Sequence, residues 1–426
     1  MLRQLHALIL AGALVASLTT AVLTTTSAPA EAAARYTPEA GALMNVPMGT
    51  KAEKHRLAVK LRKSIWAAPQ GSVIKIAVYS FDRKELGDAL VAACDRGVAV
   101  QIVINDNWIS RQVKRMQNKL GTSTEPRFDD SCQPQEKPAT EEEQAAVLAG
   151  MKPSYMKVCY QACRMYGAGN QHMKIFMFSR SGDARRVIML GSNNMTYYAA
   201  RTHWNDMFTV HAGKQMWADY SRIMAELAAD RPATPRYLKL QHGDFTTEFG
   251  ALESASRAQD PVGRRLDRVR CRALDGTGNN GRTGIRISMY SWVGDRGKFL
   301  ARKVADLSKR GCVVRAILSQ PAKGVKRILR SGGVKMRSAD LDTDDDPETG
   351  FAETRWEHFT HEKWMALNGT WAGKGRRIVW TGSENWSNKS LQNDEVTLGI
   401  DRASAHNAYA SHFDAMWNNP NRTRPL

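Results

Sequence analysis

From Val73 to Tyr79 the chain reads Val-Ile-Lys-Ile-Ala-Val-Tyr, a short β-rich run that predicts a strand. Apolar positions at helical spacing follow from Glu85 to Arg96, Gly97 stops that helix, and Val98 to Ile104 is a second apolar run. Strand, crossover helix and strand make a βαβ unit, which implies parallel pairing. The same unit returns later. Ile285 to Trp292 repeats Ile74 to Phe81 almost position for position, Arg296 to Arg310 is the helix, Gly311 the stop, and Val313 to Leu318 the strand. A basic helix over Lys323 to Arg330 and a short strand over Gly333 to Arg337 come next, and residues 39 to 70 read as a basic helix. Duplication predicts an α/β fold of two similar halves, each a mixed β-sheet flanked by helices and related by a pseudo-twofold axis. The first half spans 39–235, the second 284–420, and the pattern-poor stretch 236–283 reads as a linker. Residues 107–165, rich in Pro, Glu and Gln, read as an insertion over the sheet edge and a candidate lid.

Two short motifs repeat with the halves. His172-Met-Lys174 is followed about twenty residues later by Gly191-Ser-Asn-Asn194, and His361-Glu-Lys363 by Gly382-Ser-Glu-Asn385. Either motif alone is a weak signal. Both, in fixed order and at matching offsets in each half, are strong.

Charge narrows the partners. Sixty-one Lys and Arg oppose 42 Asp and Glu, and the formal charge of +19 favours a phosphate-rich partner such as nucleic acid or an anionic lipid surface. The first 34 residues predict an export signal: Arg3, an apolar run from Leu8 to Val22, then small residues through Ala28-Pro29-Ala30 and Ala32-Ala33-Ala34. That makes the mature protein secreted. Six cysteines then favour disulfides, with fifteen conceivable pairings and one local staple among Cys132, Cys159 and Cys163. Asp342, Asp344, Asp346 and Glu353 fall at calcium-loop spacing, but Pro347 stands where that loop needs glycine, so a solvated acidic loop is the favoured reading.

With H-x-K and G-S-x-N duplicated on duplicated α/β halves, the chain resembles the phospholipase D superfamily over roughly residues 70 to 420. The resemblance implies a phosphodiester hydrolase or transferase working through a phosphohistidine, without cofactor or metal. It makes His172 the nucleophile and His361 the acid and base, with the reverse assignment open. Lys174 and Lys363 neutralise the phosphate, Asn194 and Asn385 donate to its non-bridging oxygens, and Ser192 and Ser383 support the cluster. Asp206 and Glu395, each opening an apolar run after G-S-x-N, are expected to orient the histidines. The family aspartate five residues past each lysine is missing, with Ser179 and Asn368 in its place. Asn368-Gly369 and Ser181-Gly182-Asp183 read as hairpin turns away from the phosphate, so the loss is expected to be tolerated. His203 and His358 do not repeat and read as bystanders. Trp204, Trp356, Trp364 and Trp386 read as core or rim. A monomer acting on phospholipid head groups at a membrane surface, or on nucleic acid, is expected. The alternative is a polyanion-binding protein disabled by the lost aspartates.

Overall fold

The computed structural model describes residues 36–165, 167–252, 257–341 and 358–426. The export segment, the acidic loop at Asp342 to Asp346, Glu353 and Trp356 lie outside the described residues.

The first half is built on β1 (Gly41–Met44), β2 (Val73–Val78), β3 (Ala99–Asn105), β4 (Tyr155–Cys159), β5 (Ile175–Ser181), β6 (Ala184–Gly191), the short β7 (His203–Trp204) and β8 (Asp206–His211). Strands β9 (Leu238–His242), β10 (Phe245–Phe249) and β11 (Val269–Arg270) follow, then β12 (Gly284–Trp292), β13 (Val313–Pro321), β14 (Lys335–Ser338), the short β15 (Phe359–Thr360), β16 (Lys363–Trp371), β17 (Lys374–Gly382), β18 (Val396–Ile400) and β19 (Arg424–Pro425). One sheet has seven strands in the order β1-β8-β6-β5-β2-β3-β4; the other has ten, with β14-β13-β12-β16-β17-β18 at its centre. Reading β8-β6-β5-β2-β3-β4 against β18-β17-β16-β12-β13-β14, every neighbouring pair has the same sense. The βαβ pairs β2·β3 and β12·β13 are parallel, as are β3·β4 and β13·β14, and the hairpins β5·β6 and β16·β17 are antiparallel. The duplication read from sequence is therefore a duplication of topology.

Both βαβ units bury one helix face against their sheet. Helix Lys84–Asp95 covers the first sheet with Leu86, Ala89, Leu90 and Ala93, and helix Gly294–Lys309 covers the second with Leu300, Ala301 and Val304. A third core lies between the sheets. It takes Ala77, Val103 and Ile175 from one sheet, Ala366, Val379 and Leu398 from the other, and the buried faces of helices Lys214–Ala229 and Ala403–Trp417. This shared core fixes one half against the other.

Three segments depart from the sequence reading. The region 236–283 is not a plain linker, because β9 and β10 form a hairpin whose β10 pairs with β18 and extends the second sheet. The region 107–165 is only partly an insertion: β4 is a sheet strand, the counterpart of β14. The hairpin turn of the second half is Ala372-Gly373, both in the left-handed region, and not Asn368-Gly369. Asn368 pairs with Arg377 inside the β16·β17 ladder, and Gly369 is needed for close approach, since a Cβ there would lie 2.2 Å from Thr283 Oγ1. In the first half Gly182-Asp183 is the turn, as read. Ser179 accepts from the Val73 amide and Asn368 from the Gly278 amide, so both substitutes for the family aspartate serve the backbone at that end of their strands.

Three disulfides close the described chain: Cys94–Cys132, Cys159–Cys163 and Cys271–Cys312. Cys159–Cys163 is the local staple that the sequence suggests. Opening either long loop is expected to cost about 4 kcal/mol of stability, against about 2 kcal/mol for the short one, from loop-closure entropy. Urea unfolding of the three Cys→Ser double variants measures this ordering. No helix among the described residues is long and apolar enough to cross a membrane.

Candidate active site

The two H-x-K segments lie where the sheets meet, each immediately before or at the start of its hairpin strand. Each is held by backbone bonds to the opposite half. The His172 amide donates to the Asp394 carbonyl (3.0 Å), and the His361 amide donates to the Trp204 carbonyl (2.9 Å). These are the same bond made twice. It sits beside the parallel contacts of Gln171 with Asp394 and of Thr360 with Trp204. Arg164, fully buried, reinforces the first. Its amide donates to Asp394, its guanidinium pairs with Glu226 and also donates to the Gly250 carbonyl, and it directly follows the Cys159–Cys163 staple.

The glycines of G-S-x-N are there for contact. A Cβ at Gly191 would lie 2.2 Å from the Asp206 carbonyl oxygen, and one at Gly382 closer still to that of Val396. The serines tie the motif to the next strand: Ser192 Oγ accepts from the Asp206 amide and Ser383 Oγ from the Val396 amide, each at 3.0 Å. Asn194 and Asn385 are half-buried. Asn385 Oδ1 accepts from the Ser291 amide, which leaves its Nδ2 for a ligand, while Asn194 Oδ1 has no hydrogen-bond partner.

His172 Nδ1 stands 2.9 Å from both carboxylate oxygens of Glu395. A carboxylate only accepts, so Nδ1 carries the proton and Nε2 keeps its lone pair. Glu395 is itself held by Asn393 Nδ2 (2.9 Å) and Ser383 Oγ. Burial would raise the Glu395 carboxyl, but His172 overrides it and the group lies below the usual carboxylate range. Burial, partly offset by Glu395, pushes His172 down to about 4.

The second histidine is held differently. His361 Nδ1 faces the Ser192 carbonyl and Asn205 Oδ1, both at 3.1 Å, and Asn205 Nδ2 donates to the Ala199 carbonyl. Asp206 is not its partner, which corrects the expected orienting role. Gly191 pairs with Met207 and Gly382 with Thr397, so Glu395 corresponds to Asn205 and Asp206 to Val396. A shift of one residue along a strand reverses the face. Asp206 therefore points away from His361, into the second half, where Thr381 Oγ1 and Tyr409 Oη donate to it.

Lys174 and Lys363 are buried, and the Nζ of each turns back to the carbonyl of its own histidine. Each also lies over an equivalent ring, Lys174 over Tyr79 (5.3 Å) and Lys363 over Tyr290 (4.9 Å). Burial pushes Lys174 down to about 7; burial and then Lys174 hold Lys363 well below the ordinary lysine value. Burial also drives His361 down, followed by the charges of Lys363, His203, Lys174 and His172. Two lysines and two histidines from opposite halves thus lie close enough to act on one another's charge, an arrangement suited to an anion.

Sequence reasoning missed two site residues. Asn205 is hidden one place from the more conspicuous Asp206, and the strand register alone reveals it. His203, read as a bystander, stacks on His361 with ring centroids 5.0 Å apart. Trp204, Trp364 and Trp386 are core, as read.

A site that gathers one H-x-K and one G-S-x-N from each of two like α/β halves defines a phospholipase D-like protein, of the superfamily that cleaves or transfers phosphodiesters. The chain belongs to the family described as "Cardiolipin synthase, PLD-like domain", whose model matches residues 63–228 and 279–417. The fold is similar to polyphosphate kinase from Porphyromonas gingivalis, 12% identical with a TM-score of 0.55 over 90% of this chain and 48% of that one. This chain thus spans about half the length of that kinase. Phosphatidylserine synthase from Haemophilus influenzae is 14% identical, with a TM-score of 0.52 over 93% of this chain and 92% of that one. The phospholipase D family member Nuc from Salmonella typhimurium is 15% identical over 43% of this chain and 98% of its own, with a TM-score of 0.28. No curated protein matches the sequence.

Proposed function

We propose that this chain is a secreted phosphodiesterase that cleaves or transfers its substrate through a covalent phosphohistidine on His172. The observation that carries the reading is the asymmetry of the two histidines: Glu395 backs His172, whereas the neutral Asn205 backs His361. When His172 Nε2 attacks phosphorus, its ring becomes cationic, and an adjacent carboxylate stabilises that charge. As the N–P bond forms, the P–O bond to the leaving alcohol breaks, and His361 gives its Nε2 proton to that oxygen. In the second step His361 takes a proton from water or an acceptor alcohol, whose oxygen bonds phosphorus as the P–N bond breaks. Lys174, Lys363 and the amides of Asn194 and Asn385 hold the non-bridging oxygens throughout. The pairing of His172 with Glu395 supports activity over a disabled polyanion-binding protein.

A phospholipid head group is the first substrate reading, on the strength of the cardiolipin synthase family model. Nucleic acid is the second, favoured by the charge of +19. Export follows from the leader-like sequence and is supported by three disulfides, the chemistry of an oxidising compartment. The test is parallel incubation, with EDTA, of phosphatidylglycerol or phosphatidylcholine vesicles and of single-stranded and plasmid DNA. Release of a head group or cleavage of DNA assigns the substrate. Binding without either product sinks the enzyme reading.

The pH profile has a definite sign. His172 must be unprotonated to attack, which holds above about 4. On the basic side His361, which burial holds well below the usual imidazole range, loses the proton it must donate, and Lys174 loses its own as pH rises through about 7. The expected kcat/KM therefore falls on both sides of that window. A value still rising at about pH 9 removes Lys174 from the phosphate site.

A further inference from the structure

The two half-sites differ at one more equivalent place. Where the first has Asn393, donating to Glu395, the second has His203. His203 is 8% exposed, and neither of its ring nitrogens has a hydrogen-bond partner. Ring contacts hold it instead. Phe359 lies 4.1 Å away, Tyr198 meets it edge-on at 5.2 Å, and its stack on His361 is tilted by only 30°. Tyr290 packs on His361 as well, at 4.8 Å. A protonated His203 would be a buried cation without a partner beside Lys363; burial and then that lysine push it down to about 3. It is therefore neutral across the working range, a polarisable aromatic face against the His361 ring.

We propose that His203 is a positioning residue for proton transfer: its uncharged ring, with Tyr290, is the surface that orients His361 and supports it while it carries the proton. The reason is what surrounds His361. Its Nδ1 partners, Asn205 and the Ser192 carbonyl, are neutral, so the imidazolium form has no directly bonded carboxylate. An aromatic face favours a cation by less than a bonded carboxylate does. His361 thereby holds its proton loosely and gives it up readily to a leaving alkoxide. The duplicated site has diverged in support as well as in role: a carboxylate where positive charge must persist through an intermediate, rings where it must come and go. The inference rests on the proposed reading in which His361 is the acid.

Leaving-group dependence tests it. The full chain and its His203→Asn and His203→Phe variants are compared over the first turnover on two phosphodiesters. Bis(p-nitrophenyl) phosphate loses a phenolate that needs no acid; an alkyl diester, phosphatidylglycerol in vesicles or oligothymidylate, loses an alcohol that does. His203→Asn installs the residue of the other half-site and is expected to slow the alkyl diester at least about tenfold but the aryl diester less than about threefold. His203→Phe keeps the ring and is expected to stay within about threefold of wild type on both. Equal losses of His203→Asn on both substrates, or a Phe variant as impaired on the alkyl diester as the Asn variant, overturn the proposal. A wild-type chain inert on every diester would overturn the phosphodiesterase reading, and this inference with it.

Discussion

His361→Ala is expected to slow turnover of an alkyl phosphodiester by about 10³-fold and to leave the protein covalently modified on His172. With a p-nitrophenyl diester the phenolate departs unaided, so the first step proceeds. The second stalls, because the group that activates water is gone. Intact-mass measurement should show a phosphoryl adduct that is absent from His172→Ala, and tandem mass spectrometry should place it on residue 172. An adduct on His361 in the His172→Ala variant would reverse the two roles, and no adduct in either would end the covalent mechanism.

Glu395→Gln is expected to lower kcat by about 10³-fold with little change in KM, since the amide leaves His172 in place and removes the charge that stabilises its cationic form. Asp206→Asn is the contrasting variant. Burial, then Glu362, raise the Asp206 carboxyl, and its bonds from Thr381 and Tyr409 need only an acceptor oxygen, which asparagine provides. Its kcat is expected within about threefold of wild type. Steady-state rates of both variants decide it. A large loss at Asp206 with none at Glu395 would return the orienting role to the residue more conspicuous in the sequence.

That pair also shows how far the sequence could be read. The βαβ units, the duplicated motifs and the convergence of both H-x-K segments were legible because each depends on local period or on a repeat. Asp206 was misread because the choice between adjacent residues of a strand is a matter of register, and register is fixed by the distant partner strand. Asn368-Gly369 carries a turn signal, yet the ladder from Asn368 to Trp371 continues past it, and the pairing of the whole hairpin outweighs one dipeptide. The hairpin β9–β10 was hidden in a pattern-poor stretch, where β9 alternates half-buried with exposed residues along an edge of the sheet. His203 could be found only in three dimensions, since the other half has asparagine at that place and the repeat gives no sign of it.

The backbone bond from His172 to Asp394, with Glu395 beside it, joins positions more than two hundred residues apart in the sequence. A ribosome therefore completes nearly all of the polypeptide before His172 meets the carboxylate behind it, and a chain ending short of Glu395 leaves that histidine without its partner. The order in which the parts are made thus postpones assembly of the His172–Glu395 pair until synthesis is almost finished.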